Sequence, residues 1–312
     1  MPASLRSIPG KLSSSGFLQV YVVNVQNNFP IQNARVTITR SGEPSASPEQ
    51  LTTNASGQTG EVSLAAPPLE YSLRPDENRP YADYNITVEA PGFRSATIEG
   101  TEVLPEVTAI QPVRLEPESD SMPEENPIVI PEHTLYGSYP PKIAETEIQP
   151  VKESGEIVLS RVVVPQTIVV HDGPPAANAR DYYVPYRDYI KNVASSEIYS
   201  TWPDSTLRAN ILAIMSFTLN RVYTEWYRNK GYNFTITTST AYDQKFVYGR
   251  NIFQSISDVV EEMFQNYLSR PNVRQPILTQ YCDGQRVTCS NWLSQWGSKY
   301  LGDQNYETIE IL

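Results

Sequence analysis

The chain changes its hydrophobic rhythm near its middle. In the first third, apolar residues fall at every second position: Leu18, Val20 and Val22, then Val36 and Ile38, then Tyr84, Ile86 and Val88. Successive side chains of a strand point to opposite faces, so a period of two predicts strands with one face buried. Clusters of Asn, Gly and Pro separate the runs. Gly57 and Gly60 stand just before the strand "EVSL", and "APGF" at Ala90 to Phe93 reads as a turn. Residues 16–115 are therefore expected to form a small all-β antiparallel sandwich behind an N-terminal tail over 1–15.

Beyond Val162 the period lengthens. Tyr186, Tyr189, Ile190, Val193 and Ala194 recur at the three-and-four spacing of a helix that buries one stripe. A longer helix is predicted from about Asp204 to Lys230, with Leu207, Ile211, Ile214, Met215 and Leu219 inward, Asp204 or Ser205 as N-cap and Gly231 as the closing glycine. Another starts near Asn251 on Ile256, Val259, Val260 and Met263, while "FTITTST" and "QPILTQYC" read as strands. Residues 162–312 are thus expected to be an α+β domain, mostly helical.

Between the two regions, over 116–161, the composition shifts to proline and acid in "EPESDSMPEENP" and "GSYPPKIAETEIQPVKESGE". Such a segment cannot bury enough apolar surface to fold alone, which predicts a protease-accessible linker, although "IVIPEHTLYG" holds enough apolar residues to dock on a neighbour. A chain of 312 residues divides naturally into two domains plus this linker. Charge follows the same division: of the net −11, residues 1–161 carry −10 and residues 162–312 carry −1. Neither half has the clustered basic surface that nucleic acid requires. No apolar run is long enough to span a bilayer, and "MPASLRSIPGKLSSSG" lacks the apolar block of a secretory signal. Cys282 and Cys289 are too few for a disulfide framework and fit a local disulfide or two free thiols. With His133 and His171 the only histidines, a zinc site would need carboxylates to complete it, so neither metal nor cofactor is expected.

The chemistry worth weighing begins at Glu197, which falls on the same apolar stripe as Tyr189, Ile190 and Val193. A carboxylate there is paired with a buried cation, left in solvent by fraying of the helix, or set in a cleft where partial burial keeps its proton near neutrality. The last case suits a general acid for a glycosidic oxygen. Asp243 in "TAYDQKFVYG" and Asp283 in "YCDGQRVTC" are turn-type positions first and candidate second carboxylates only afterwards. His171 and Asp172 with a serine could be drawn as a triad, but no nucleophile elbow is present. Tyr199, Trp202, Trp226, Trp292 and Trp296 could stack on sugar rings, but Trp226 sits on a helix stripe and reads as packing; Trp202, in the loop directly after Glu197, is the better ligand candidate, and Tyr199 and Tyr248 complete the expected substrate-binding set.

At this point resemblance adds to pattern. "NARVTIT", the glycine turn before "EVSL" and "YNITVEAPGF" resemble carboxypeptidase-regulatory-like, or transthyretin-like, sandwiches, which implies a module without catalytic residues. "YRDYIKNVASSEIYSTWPDSTLRANILAI" resembles the SpoIID/LytB domain of sporulation peptidoglycan enzymes, and the family's catalytic glutamate aligns with Glu197. "SFTLNRVYTEWYRNKGYNFTIT", "YGRNIFQSISD" and "RQPILTQYCDGQRVTCSNWLSQWGS" are similar to clostridial spore cortex-lytic enzymes, and so are "IPEHTLYGSYPPKI" and the sandwich.

The resemblance implies a zymogen stored in the cortex and coat region of the spore. Its sandwich and linker would be a pro-region, a subtilisin-like germination protease its activator, and the muramic-lactam-containing peptidoglycan of the cortex its substrate. Lytic transglycosylation through Glu197 is the implied activity. Hydrolysis as a muramidase or N-acetylglucosaminidase, with Asp243 or Asp283 as second carboxylate, is the alternative. A non-catalytic cortex or coat binding protein is the reading from a different class, because Phe217 stands where SpoIID domains carry an arginine. Cortex-lytic enzymes also continue into a C-terminal peptidoglycan-binding module, which the sequence as given, ending at Leu312, does not include.

Overall fold

A computed structural model describes residues 12–43, 47–75, 78–119, 126–133, 135 and 157–312. Eight strands come first: β1 (Ser14–Asn24), β2 (Arg35–Arg40), β3 (Glu49–Thr52), β4 (Val62–Ala66), β5 (Ala82–Glu89), β6 (Ala96–Val103), β7 (Thr108–Leu115) and β8 (Ile128–Val129). One turn of helix, α1 (Glu70–Leu73), lies between β4 and β5. β9 (Thr167–His171) and β10 (Asp181–Pro185) then lead into α2 (Tyr186–Glu197) and α3 (Asp204–Tyr223). The rest is β11 (Ile236–Thr237), β12 (Ile252–Phe253), α4 (Gln254–Met263), β13 (Tyr281–Cys282), β14 (Leu293–Ser294), α5 (Gln295–Asp303) and α6 (Thr308–Ile311).

The chain forms two compact units, and their boundaries are not those of the linear reading. The first comprises Met1–Thr134 together with Tyr199–Thr201 and Val247–Ser255; the second comprises Leu135–Ile198, Trp202–Phe246 and Ile256–Leu312. The first unit is a sandwich of two sheets, in the orders β12-β7-β1-β4 and β3-β2-β5-β6-β8. Leu18, Val20, Val22, Val36, Ile86 and Val88, the alternating residues of the sequence, are fully buried in its core. Most neighbours are antiparallel, but β1 runs parallel to β7 and β6 parallel to β8. Gly57 takes a φ of +73° under the carbonyl of Val22, a left-handed turn that only glycine enters without strain. The turn at Ala90 is present, with Phe93 N–H donating to its carbonyl over 3.1 Å.

Two pieces expected elsewhere belong to this unit. Ile128 and Val129, placed in the linker by composition, pair with β6, so the "IVIPEH" stretch completes the second sheet. Ile252 and Phe253, placed in the C-terminal domain, pair antiparallel with Ile110 and Ala109 of β7. The remainder of the expected linker, over 120–125 and 136–156, lies outside the described residues.

The second unit is α+β and mainly helical. α2 begins at Tyr186, the first residue of its stripe, and reaches Glu197, with Tyr189, Ile190, Val193 and Ala194 fully buried. α3 is shorter than expected, ending at Tyr223; Arg228–Lys230 form a separate 3₁₀ turn, closed by Gly231 at a φ of +83°. Glu225, at a φ of +45°, bends the chain between them. Pro203 occupies the N-cap of α3 and no side chain caps it, since Asp204 pairs with Arg208 at 2.6 Å instead. The strands expected in "FTITTST" and "QPILTQYC" shrink to β11 and β13, two residues each. Among the described residues no helix is long and apolar enough to cross a membrane.

Candidate functional site

Glu197 is the last residue of α2, where the helix runs out of partners. The apolar residues before it anchor the helix in the core, while its own side chain is half-buried. One carboxylate oxygen is held: Oε1 accepts the backbone N–H of Lys245 at 2.8 Å and lies 3.4 Å from the hydroxyl of Tyr281. The main-chain carbonyl of Glu197 accepts from Gln295 Nε2 at 2.9 Å. Oε2 accepts no hydrogen bond among the described residues. A carboxyl group with one oxygen oriented by the protein and the other unclaimed is arranged to exchange a proton with something outside it.

Around it stands a buried polar layer. Gln244 donates from Nε2 to the carbonyl of Ile214 at 3.1 Å, and because that carbonyl can only accept, the amide orientation is fixed. Its Oε1 then faces the hydroxyls of Thr218 at 2.8 Å and Tyr189 at 3.2 Å. Burial first, and then the charges of Asp243 and Glu197, push the phenol of Tyr189 well above the ordinary tyrosine range. Tyr281 is raised likewise by burial and by the Glu197 charge, so both phenols stay protonated.

Asp243 is no second catalytic carboxylate. It is fully buried, with Arg221 Nε at 2.7 Å on Oδ1, and on Oδ2 the hydroxyl of Tyr227 at 2.6 Å, the N–H of Thr237 at 2.9 Å and its hydroxyl at 2.7 Å. Every direction from which a water or a sugar would approach is taken by protein. Asp283 keeps its turn role: Oδ1 accepts the N–H groups of Gln285 and Val287, both at 3.1 Å. His171 pairs with Asp181 at 2.7 Å rather than with Asp172, and its Nε2 meets the carbonyl of Ala177 at 3.1 Å, which leaves no nitrogen for a serine.

The aromatic expectations divide. Trp202 is 3% exposed and packs its indole on Trp296, ring centres 4.9 Å apart, so it is core and not a stacking platform. Tyr199 is 1% exposed within the first unit, its ring 5.0 Å from that of His133. Tyr248, also of the first unit, is 41% exposed. Phe217 is fully buried under the guanidinium of Arg221, 4.8 Å from its ring centre. Trp226 carries Lys230 Nζ at 3.2 Å over its ring, a cation–π pair and not the plain packing its stripe suggested.

Lys245, Gln244, Tyr281 and Gln295 were not singled out by sequence reasoning. Lys245 acts through its backbone, which carries no sequence signal, and the others lie 47, 84 and 98 residues from Glu197. Tyr281 alone had a pointer, its place beside Cys282. The two cysteines form a disulfide across seven residues.

Among the described residues no group of three or more His, Cys, Asp and Glu could hold a metal ion. A groove of about 660 Å³ belongs to the first unit; its arginines are engaged by acids, Arg35 with Glu89 at 2.9 Å and Arg94 with Glu116 at 3.5 Å.

No family model matches the chain, and no curated protein does. Solved structures match over about a third of it. The 5-hydroxyisourate hydrolase of Klebsiella pneumoniae is 21% identical over 33% of this chain and 92% of its own, with a TM-score of 0.22. The catechol 1,2-dioxygenase of Acinetobacter radioresistens is 17% identical over 38% of this chain and 58% of its own, at 0.25. The Bacillus anthracis TIE protein is 14% identical over 33% of this chain, which spans only 17% of that protein, at 0.24. Likenesses at this level say nothing of activity.

Proposed function

We propose that this chain is the zymogen of a spore-cortex peptidoglycan-degrading enzyme of germination, cleaving the bond between N-acetylmuramic acid and N-acetylglucosamine as a lytic transglycosylase. The supporting observation is the contrast between Glu197 and Asp243: Glu197 is half-buried with one oxygen that accepts no hydrogen bond among the described residues, whereas Asp243 is fully buried with donors on both oxygens, and Asp283 caps its own turn through Oδ1. One carboxyl group suffices for transglycosylation. Glu197 gives its proton to the glycosidic oxygen as the bond to C1 breaks. As carboxylate it takes the proton of the muramyl 6-hydroxyl while that oxygen closes on C1, leaving a 1,6-anhydro end. Inverting hydrolysis needs a second carboxylate to activate water, and retaining hydrolysis needs one as nucleophile.

The zymogen reading draws on the composition of the first unit. Besides the sandwich it includes Tyr199–Thr201, which begin two residues after Glu197, and Val247–Ser255. Thr201 donates to Ser72 Oγ at 2.8 Å, and Arg250 binds Glu102 at 2.6 and 2.9 Å, both residues almost wholly buried. The N-terminal region thus grips the chain just downstream of the acid, and cleavage by a subtilisin-like germination protease would end the covalent part of that grip. Ile157 and Leu159 are hydrogen-bonded to Asn229 and to the carbonyl of Tyr223, so an active domain would start before Ile157 instead of at Val162. The setting is the cortex and coat region of the spore.

The buried Phe217, in place of an arginine, favours the second reading, a cortex or coat binding protein without activity. Digestion of purified cortex fragments with processed wild type and Glu197→Gln, read by mass spectrometry, decides between them. Anhydro ends that vanish in the variant are expected; reducing ends would mean hydrolysis, and no products from the wild type would leave binding.

A further inference from the structure

We propose that Tyr281 and the disulfide-closed loop that follows it form a clamp that positions Glu197. The inference rests on the reading of Glu197 as the acid. The Tyr281 hydroxyl lies 3.4 Å from Glu197 Oε1, and because a carboxylate oxygen can only accept, the phenol is the donor in this contact. Tyr281 therefore meets the carboxylate only as a donor, on the same oxygen that the Lys245 N–H holds, and keeps Oε2 turned outward.

Tyr281 is itself held by its surroundings. It pairs with Leu293 as Cys282 pairs with Ser294, Leu293 N–H donates to the Gln280 carbonyl at 3.1 Å, and the Cys282–Cys289 disulfide closes the chain between these partners. Inside the ring Asp283 gathers two N–H groups, and Gly284, at a φ of +77°, packs so closely on Ser294 that a Cβ would collide with its hydroxyl. Ser294 caps α5 by accepting the Gly297 N–H at 2.9 Å, and the first residue of α5, Gln295, holds the Glu197 carbonyl. The β13–β14 pair that the loop joins thus holds one residue from two sides: Tyr281 at its start meets the Glu197 carboxylate, and Gln295, directly after its end, holds the Glu197 backbone.

Amide hydrogen exchange on the full chain reads the clamp without any need for activity. In Cys282→Ser/Cys289→Ser and in Gly284→Ala the Lys245 and Leu293 amides should exchange about tenfold faster while α3 amides keep their protection. In Tyr281→Phe the Lys245 amide alone should change. In protease-processed protein Tyr281→Phe should lower kcat about tenfold at unchanged KM, as loss of one hydrogen bond to a charged group does. Unchanged exchange at Lys245 in the double serine variant would overturn the proposal, as would a uniform rise across the second unit, which would mark the loop as merely stabilising. If Glu197→Gln stays active, the assignment of the acid fails, yet the exchange result still decides whether the loop holds that side chain.

Discussion

Asp243 and Glu197 are both carboxylates within the polar layer of one unit, and they are treated in opposite ways. Asp243 is fully buried and receives at least four protein donors across its two oxygens, one of them a buried guanidinium. Glu197 is half-buried, has one backbone donor at 2.8 Å and one long contact, and keeps one oxygen unused. A buried charge is tolerable only when its lone pairs are filled, and a carboxylate so filled has nothing left to offer a substrate. Burial alone therefore does not mark a catalytic acid; what sets Glu197 apart, under the function proposed above, is incomplete satisfaction at the edge of a well-satisfied layer.

The largest effects should come from breaking the contrast on its structural side. Asp243→Asn leaves Arg221 buried opposite a neutral group and should cost about 3–5 kcal/mol, measured by chemical denaturation. Arg250→Met should cost the first unit a similar amount, about 3–5 kcal/mol, by stranding Glu102 at 1% exposure beside His133. Retained stability in Arg250→Met would show that 247–255 is a passenger in that unit. On the functional side, Glu197→Gln should hold stability within about 0.5 kcal/mol, since Oε1 can still accept from Lys245. Activity of the processed protein should fall by about 10²- to 10⁴-fold, the range of a lost general acid. An equal loss of stability in Glu197→Gln and Asp243→Asn would erase the distinction.

How much of this was legible beforehand follows the range of the interactions. The two hydrophobic periods gave the sandwich core and the start and buried stripe of α2, because both are set by residues a few positions apart. α3 was read seven residues too long, since the stripe does continue to Trp226, and only the turn at Glu225 and the seating of Trp226 between Arg221 and Lys230 stop it. Glu197 could be found because it interrupts an apolar stripe. The pairing of Asp243 with Arg221 spans 22 residues and has no local signature, so its turn-like setting gave no hint of a saturated core site. Trp202 and Tyr199 were misread for the same reason: a Trp-Pro loop next to the acid looks like a binding edge until Trp296 and His133 are seen to cover it. Membership of 199–201 in the first unit rests on a hydrogen bond and a ring contact, and that of 247–255 on an ion pair and strand addition, all with distant parts of the chain.

The smallest prediction carries the comparison into the first unit, where Asp83 lies between the two extremes. It is paired with Arg79 and still partly exposed, its side chain at 18%. Burial, opposed by Arg79 and reinforced by the charges of Glu102 and Glu132, raises its carboxyl from 3.8 to about 6. An acid raised on folding binds its proton more tightly in the folded state, so between about pH 4 and pH 6 the folded chain holds more protons than the unfolded one. Stability must then fall as pH rises through that window, and it is restored as the pH is lowered. Asp83→Asn abolishes this term and should flatten the slope of Tm against pH between about 4 and 6 relative to wild type, with little change at pH 4, where the wild-type side chain is already neutral. Identical slopes would mean that the Arg79 pair outweighs burial and holds Asp83 as a carboxylate, which would place it with Asp243 among the satisfied charges.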